Sequence, residues 1–375
     1  MRPVAIWLIV AIVELGILLT IAGPANPDKP GRAGGLRTAA AQLRGSGPPV
    51  DLVQDYVGAR DVARGREAYP VLTRAYASVG LKWPAGHRST HPPTAFLLVL
   101  PVAWLPWKAA ATAWMVLMLA ALAAAYWALG APPALGAALA PLTLAWPPGG
   151  WSTGQLTPLW LLGLALAWRL RDRPASAGAA IALASLTKLL PALLLLPFLL
   201  LRRWSVLRGF ALVWGAAVAL LLVLDAGAIG RYVTILRTAS REQAARGENS
   251  ALLWAADHKY GAAGVAVALV LVAAVLARTL RRVRRHGELD RLSWDGVGWA
   301  SVALLPIAWI YSLLPLLPAL ARLVRRGGLV AAALALVTFV IPFLVDPFGL
   351  PGGIRLAFAT AALGLSLVVA RARPA

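Results

Sequence analysis

Cysteine is missing from all 375 residues, which excludes disulfides, thiolate metal sites and cysteine nucleophiles. Histidine is scarce, with four residues, and Asp plus Glu number only 15 against 36 Lys plus Arg. A His/carboxylate metal cage therefore has little to draw on, and no metal or cofactor is expected. No Walker loop, no GxGxxG after a strand and no HExxH occurs, so nucleotide hydrolysis and zinc proteolysis have no support. Charge of either sign is thin, at 14% of residues, where a soluble domain carries about 25%. What fills the chain is apolar: 60% of residues are hydrophobic and the mean hydropathy is +0.73. A water-soluble protein of this size has no core large enough to hide that surface. The sequence reads as an all-α, polytopic membrane protein.

Apolar runs place spans near 3–22, 107–129, 132–147, 155–169, 175–188, 189–201, 208–226, 262–280, 296–310, 311–321, 328–345 and 352–370. With soft boundaries this predicts a bundle of about 10–13 transmembrane helices. The first run follows Arg2 but is closed by no small-x-small cleavage site, so it reads as a retained span. The segment 93–105 is short for a straightforward crossing and has a re-entrant alternative.

The formal charge of +21 does not indicate a nucleic-acid partner, because the basic residues form short clusters between apolar runs. They are Arg169/Arg171/Arg173, Arg202/Arg203/Arg208, the run 278–285, Arg322/Arg325/Arg326 and Arg371/Arg373. The positive-inside rule assigns these to the cytoplasm. The loops 23–92, 148–154, 227–261 and 346–352 then face outward. The acids fall the other way: Asp51, Asp55, Asp61, Glu67, Glu242, Glu248 and Asp257 all lie in 23–92 and 227–261. The expectation is a single membrane domain, 1–375, with a large first outer loop at 23–92 and a second at 227–261.

Within the first loop, VDLVQDYVGARDVARG (50–65) gathers three of the few acids. Asp51, Gln54, Asp55, Gly58 and Val62 fall on one face of a helix. Two carboxylates four apart repel unless a cation or substrate sits between them. A solvated helix with acids in its first turn has the same pattern. Other polar residues recur on the outer side: His91 of HisProPro, Gln155 after the WPPGGWS turn, and Asn249-Ser250 in the second loop. Lys188 interrupts an apolar run, three residues before Pro191. A charge there costs roughly 2.5–3.5 kcal/mol at mid-membrane. It either snorkels to the outer surface or binds an anion such as a phosphate at the interface.

Taken in order, Asp51-x-x-Gln54-Asp55-Tyr56-x-x-Ala59-Arg60, Gly65, Tyr69, His91-Pro92-Pro93, Gly154-Gln155-Leu156, Ala177-Gly178, Lys188-x-x-Pro191, Arg202-Arg203-Trp204 and Asn249-Ser250 resemble glycosyltransferase family 87. That family comprises polyprenyl-phosphate-dependent mannosyl- and arabinofuranosyltransferase-like membrane proteins of the GT-C fold. The resemblance implies a helical bundle whose first large outer loop bears the catalytic aspartate, at Asp51. Asp55, the second catalytic candidate, would position acceptor or donor and falls where relatives have an acidic or aromatic residue. Gln54, Arg60, His91, Gln155, Lys188 and Asn249 are then candidate substrate-binding residues. It further implies a polyprenyl-phosphate-linked sugar donor, a glycan or glycolipid acceptor and transfer at the outer face of the cell membrane, amid membrane lipids.

One departure stands late in the chain: the family's Pro-x-x-Trp-His-Tyr is here Pro306-Ile307-Ala308-Trp309-Ile310-Tyr311, with Ile310 in place of His. Lys188 is the candidate to replace that His at the donor phosphate. A phosphate leaving group needs no general acid, and one carboxylate suffices to deprotonate the acceptor hydroxyl. A single base suits inversion. The alternative reading is a transporter or flippase, which predicts broken segments in two symmetric halves; the sequence shows no such symmetry.

Overall fold

The computed structural model describes residues 50–81, 88–145, 154–246, 252–305, 310–316, 318, 319, 322 and 352–369. The spans at 3–22 and 328–345, the motif residues 306–309 and the candidate Asn249 lie outside them. The described residues form helices joined by short turns; the β-structure among them is one isolated bridge, between Val71 and Arg88. The protein is an all-α polytopic membrane protein.

Prolines and positive-φ residues mark out the elements. Helix α1 (Val50–Ala63) ends before Gly65, whose φ of +66° stops the helix. A short α2 (Leu72–Ala77) follows, and Pro93, at the first helical position, opens α3 (Pro93–Ala103). Helix α4 (Trp107–Ala128) runs to Gly130 at φ +98°, where the Gly130 and Ala131 amides donate to the carbonyls of Trp127 and Tyr126. Helix α5 (Pro133–Ala145) returns alongside it, and α6 (Thr157–Arg169) and α7 (Pro174–Thr187) form an antiparallel pair. Pro191 cannot continue α7, because its ring would clash with the carbonyl of residue 187. The chain accordingly breaks at Lys188, which is extended (φ −151°, ψ 137°), and resumes as a 3-10 helix, Leu190–Leu194, and α8 (Leu195–Leu200).

Helix α9 (Trp204–Leu224) crosses α7 at close range. A Cβ on Gly178 would stand 1.9 Å from the Val206 carbonyl oxygen, and one on Gly209 1.9 Å from that of Ala175. Small residues are what lets two backbones approach this closely where lipid supplies no hydrophobic drive. Then come α10 (Ala228–Arg246), inside the second long loop, and α11 (Leu252–His286), kinked at Gly261. Helix α12 (Arg291–Ala303), a 3-10 helix at Ile310–Leu316 and α13 (Gly352–Val369) complete the described chain.

Three of these helices are long and apolar enough to cross a membrane: Trp107–Ala128, Trp204–Leu224 and Gly261–His286. Shorter apolar helices are Pro93–Ala103, Pro174–Thr187 and Leu190–Leu200. Apolar residues of α9 and α11 stand outward, Val223 at 83% exposure and Val267 at 71%, as a lipid-facing surface requires. Helix α6 divides the interior. Leu159, Leu161 and Ala165 pack with α1, α3 and α4, while Trp160, Leu164 and Trp168 pack with α7, α12 and α13.

Candidate functional site

The segment around α1 and α2 is drawn onto the bundle by its aromatic and acidic residues. Tyr56 donates to the Leu105 carbonyl (2.7 Å) and packs against Trp107, fixing α1 on the turn between α3 and α4. Gly58 admits Phe96 so closely that a Cβ would sit 2.8 Å from its ring. At the far side the Ala68 amide donates to Asp225 (2.9 Å), which also accepts from Arg231.

This fastening buries the face of α1 that carries the carboxylates. Asp55 is 1% exposed, and the Nδ1 of His91, itself 3% exposed, stands 2.9 and 2.8 Å from its two carboxylate oxygens. Tyr69 donates its hydroxyl to the His91 carbonyl (2.9 Å), so the residue is held at its backbone as well as at its ring. Asp51, one turn earlier, is half-buried and accepts from the Gln155 side-chain amide. Gln155 is presented by a turn at Gly154, whose φ of +72° suits glycine and whose carbonyl accepts from Trp114 Nε1 (2.9 Å). The Asp51–Asp55 repulsion is thus relieved by a different partner for each carboxylate.

Lys188 belongs to the same cluster. Thr94 Oγ1 donates to the Leu186 carbonyl (2.9 Å), tying the start of α3, next to His91, to the end of α7. The ammonium is within electrostatic range of Asp55 and Asp51, and it makes no hydrogen bond or ion pair among the described residues. Tyr76, from α2, completes the group. Burial first, then Asp51 and Asp55, hold its phenol well above the usual tyrosine range. Tyr69 is raised too, by burial first and then by Tyr232 and Asp55. Both hydroxyls stay protonated and able to donate at neutral pH.

Of the residues singled out in the sequence, the structure brings Asp51, Asp55, His91, Gln155 and Lys188 together. Gln54 is buried on the same helix. Arg60 is turned to the other flank, where its guanidinium donates to the Tyr56 hydroxyl (3.0 Å). Asp61, third of the clustered acids, pairs with Arg74 (3.2 Å) and Arg66 (3.6 Å), which makes it a fastening of the loop. The Asp55–His91 pair and Tyr76 were not visible beforehand. A separation of 36 residues leaves no periodic signal, and Tyr76 sits in no motif. Among the described residues no group of three or more His, Asp or Glu is placed to hold a metal ion.

The sequence model of glycosyltransferase family 87 matches residues 90–306, more than half of the chain. The matched stretch contains His91, Gln155, Lys188 and Asn249 and begins after α1, so Asp51 and Asp55 stand outside it. No curated protein and no solved structure matches the chain.

Proposed function

The chain belongs to glycosyltransferase family 87, and from that premise we propose that it moves a mannose- or arabinofuranose-like sugar from a polyprenyl-phosphate donor to a glycan or glycolipid at the outer face of the cell membrane. The observation that carries this reading is the grouping of a half-buried carboxylate, Asp51, with an ammonium, Lys188, that lies within electrostatic range of Asp55 and Asp51 and makes no hydrogen bond or ion pair among the described residues. A base and an anion-binding cation on one site are what transfer from a sugar phosphate requires.

In this mechanism the acceptor oxygen attacks the anomeric carbon while the bond from that carbon to the phosphate oxygen breaks. The acceptor proton passes to Asp51, and the leaving phosphate keeps the electron pair beside Lys188. The Gln155 amide orients the Asp51 carboxylate by donating to it. Lys188 sits where the helix is broken, a backbone arrangement tolerated at membrane depth where it lines a cavity. Its charge acts on the transition state because the negative charge develops there. Asp55 does not reach substrate in this reading. It holds the His91 ring and its tautomer, and His91 contacts donor or acceptor through Nε2. A single attack by the acceptor oxygen opposite the leaving group inverts the anomeric centre.

The test is sugar transfer in purified membranes supplied with polyprenyl-phosphate mannose or arabinofuranose, with nucleotide sugars as control. Wild type is expected to transfer from the lipid donor alone. Asp51→Asn is expected to lose about 10²–10⁴-fold of the rate with unchanged expression and melting temperature. Equal rates from both proteins would remove Asp51 from the mechanism.

A further inference from the structure

Helices α6 and α7 have a second end. The Asp51–Lys188 cluster lies where α6 begins and α7 stops. At the opposite end, one 13-residue helix away, or about 20 Å, the turn 170–173 borders a cleft of about 590 Å³. Trp127, Trp168, Arg169, Arg171, Arg173 and Arg291 line it. The Arg169 guanidinium stands 4.1 Å from the Trp127 ring centroid, and those of Arg171 and Arg291 stand 4.6 and 4.4 Å from that of the buried Trp168.

Basic residues alone need no ligand at this end of a membrane protein, since the positive-inside rule places them there. Their arrangement does call for one. Four guanidiniums line the cleft against one carboxylate, Asp172, which is 77% exposed and 3.6 Å from Arg171. The nearby Asp295 is taken by two hydrogen bonds from Arg322. Burial first, and Arg322 next, push the Arg291 guanidinium down to about 10; Asp295 offsets part of this, and Arg171 adds to the lowering. The positive charges therefore crowd one another. Stacking on an indole occupies the flat face of a guanidinium and leaves its in-plane N–H groups to donate. Arg171 uses part of that set on the Trp168 carbonyl (3.1 Å) and on exposed Asp172, and the remaining donors of the four arginines suit an acceptor with several oxygens.

We propose that this cleft is a binding site for a phosphate-bearing anion, separate from the transfer site. Its volume lies within the range of about 300–1,000 Å³ found for small-molecule sites. The phosphate has two sources with the same chemistry, the headgroup of an anionic membrane lipid and a soluble phosphate or diphosphate. Trp127, 44% exposed beside the cleft, suits the first, because tryptophan favours the headgroup level of a bilayer.

The full chain, delipidated in neutral detergent, is titrated with phosphatidylglycerol and separately with inorganic pyrophosphate, and adducts are counted by native mass spectrometry. Wild type is expected to take up phosphatidylglycerol in preference to phosphatidylcholine. Arg171→Gln with Arg291→Gln is expected to weaken that uptake at least about tenfold, the scale of one charge-assisted hydrogen bond. Arg173→Gln, an exposed change that leaves all three stacked arginines in place, keeps the test open if the double variant misfolds and is expected to weaken uptake less. Arg64→Gln removes the same charge from the outer loop and is expected to change nothing. Displacement of the lipid by pyrophosphate would assign the soluble source, and its absence the lipid source. Uptake equal in wild type, the double variant and Arg173→Gln would overturn the site, as would an equal loss in Arg64→Gln.

Discussion

The two carboxylates on α1 differ by one turn of helix and by everything around them. Asp55 is sealed against His91, whereas Asp51 is half-buried with a neutral amide as partner. If Asp55 acts only through the imidazole it holds, the two residues form one unit, and their deletions do not add. Asp55→Asn and His91→Ala are each expected to lower kcat, and the double variant is expected to be no slower than the worse single one. Multiplying losses in that cycle would give Asp55 a task of its own. Tyr76 offers a second readout of the same pocket. Its phenol is raised well above the ordinary range, first by burial and then by Asp51 and Asp55. The folded chain thus holds that proton where the unfolded chain releases it. The associated stability is whole below about pH 10, the unfolded value, and is lost as pH rises beyond it. Tyr76→Phe is expected to flatten the fall in melting temperature above about pH 10. An unchanged slope would mean that the phenol is neither buried nor set beside the carboxylates.

At the scale of elements, the bundle depends on close helix contacts at a few glycines. Gly178 and Gly209 are where α7 and α9 approach, and each leaves no room for a Cβ beside the opposing carbonyl. Gly215, further along α9, has nothing within 4 Å of its Cβ position. Gly178→Ala is expected to cost about 1–3 kcal/mol by overpacking and to lower the melting temperature in detergent, while Gly215→Ala leaves it unchanged. Similar values for both would mean that the crossing is looser than described. Boundaries of this kind were largely legible beforehand, because prolines and glycines act locally. The runs predicted at 107–129, 155–169 and 175–188 correspond to Trp107–Ala128, Thr157–Arg169 and Pro174–Thr187. The break at Lys188 was foreshadowed by Pro191 and by a charge in an apolar run. What the sequence did not display was pairing across distance. Gln155 reaches Asp51 over 104 residues, and the Arg171–Trp168–Arg291 stack joins turns that each look like ordinary cytoplasmic charge.

Across the whole molecule, charge and chemistry divide between two ends of one helix pair. Asp51, Asp55 and His91 gather where α6 starts, and Arg169, Arg171 and Arg173 where it finishes. The sign of that division decides what the enzyme can use. An outward-facing Asp51 meets lipid-linked sugars and has no access to nucleotide sugars, which a cell keeps inside; an inward-facing one has the reverse. The absence of cysteine makes the orientation directly measurable, because any introduced thiol is the only one present. Arg64 is exposed just after α1, and Asp172 is exposed on the turn between α6 and α7. Arg64→Cys is expected to react with a membrane-impermeant maleimide in intact cells, and Asp172→Cys only after permeabilisation. The opposite pattern would turn the bundle over, bring Asp51 to the cytoplasm and make a nucleotide sugar the donor to test.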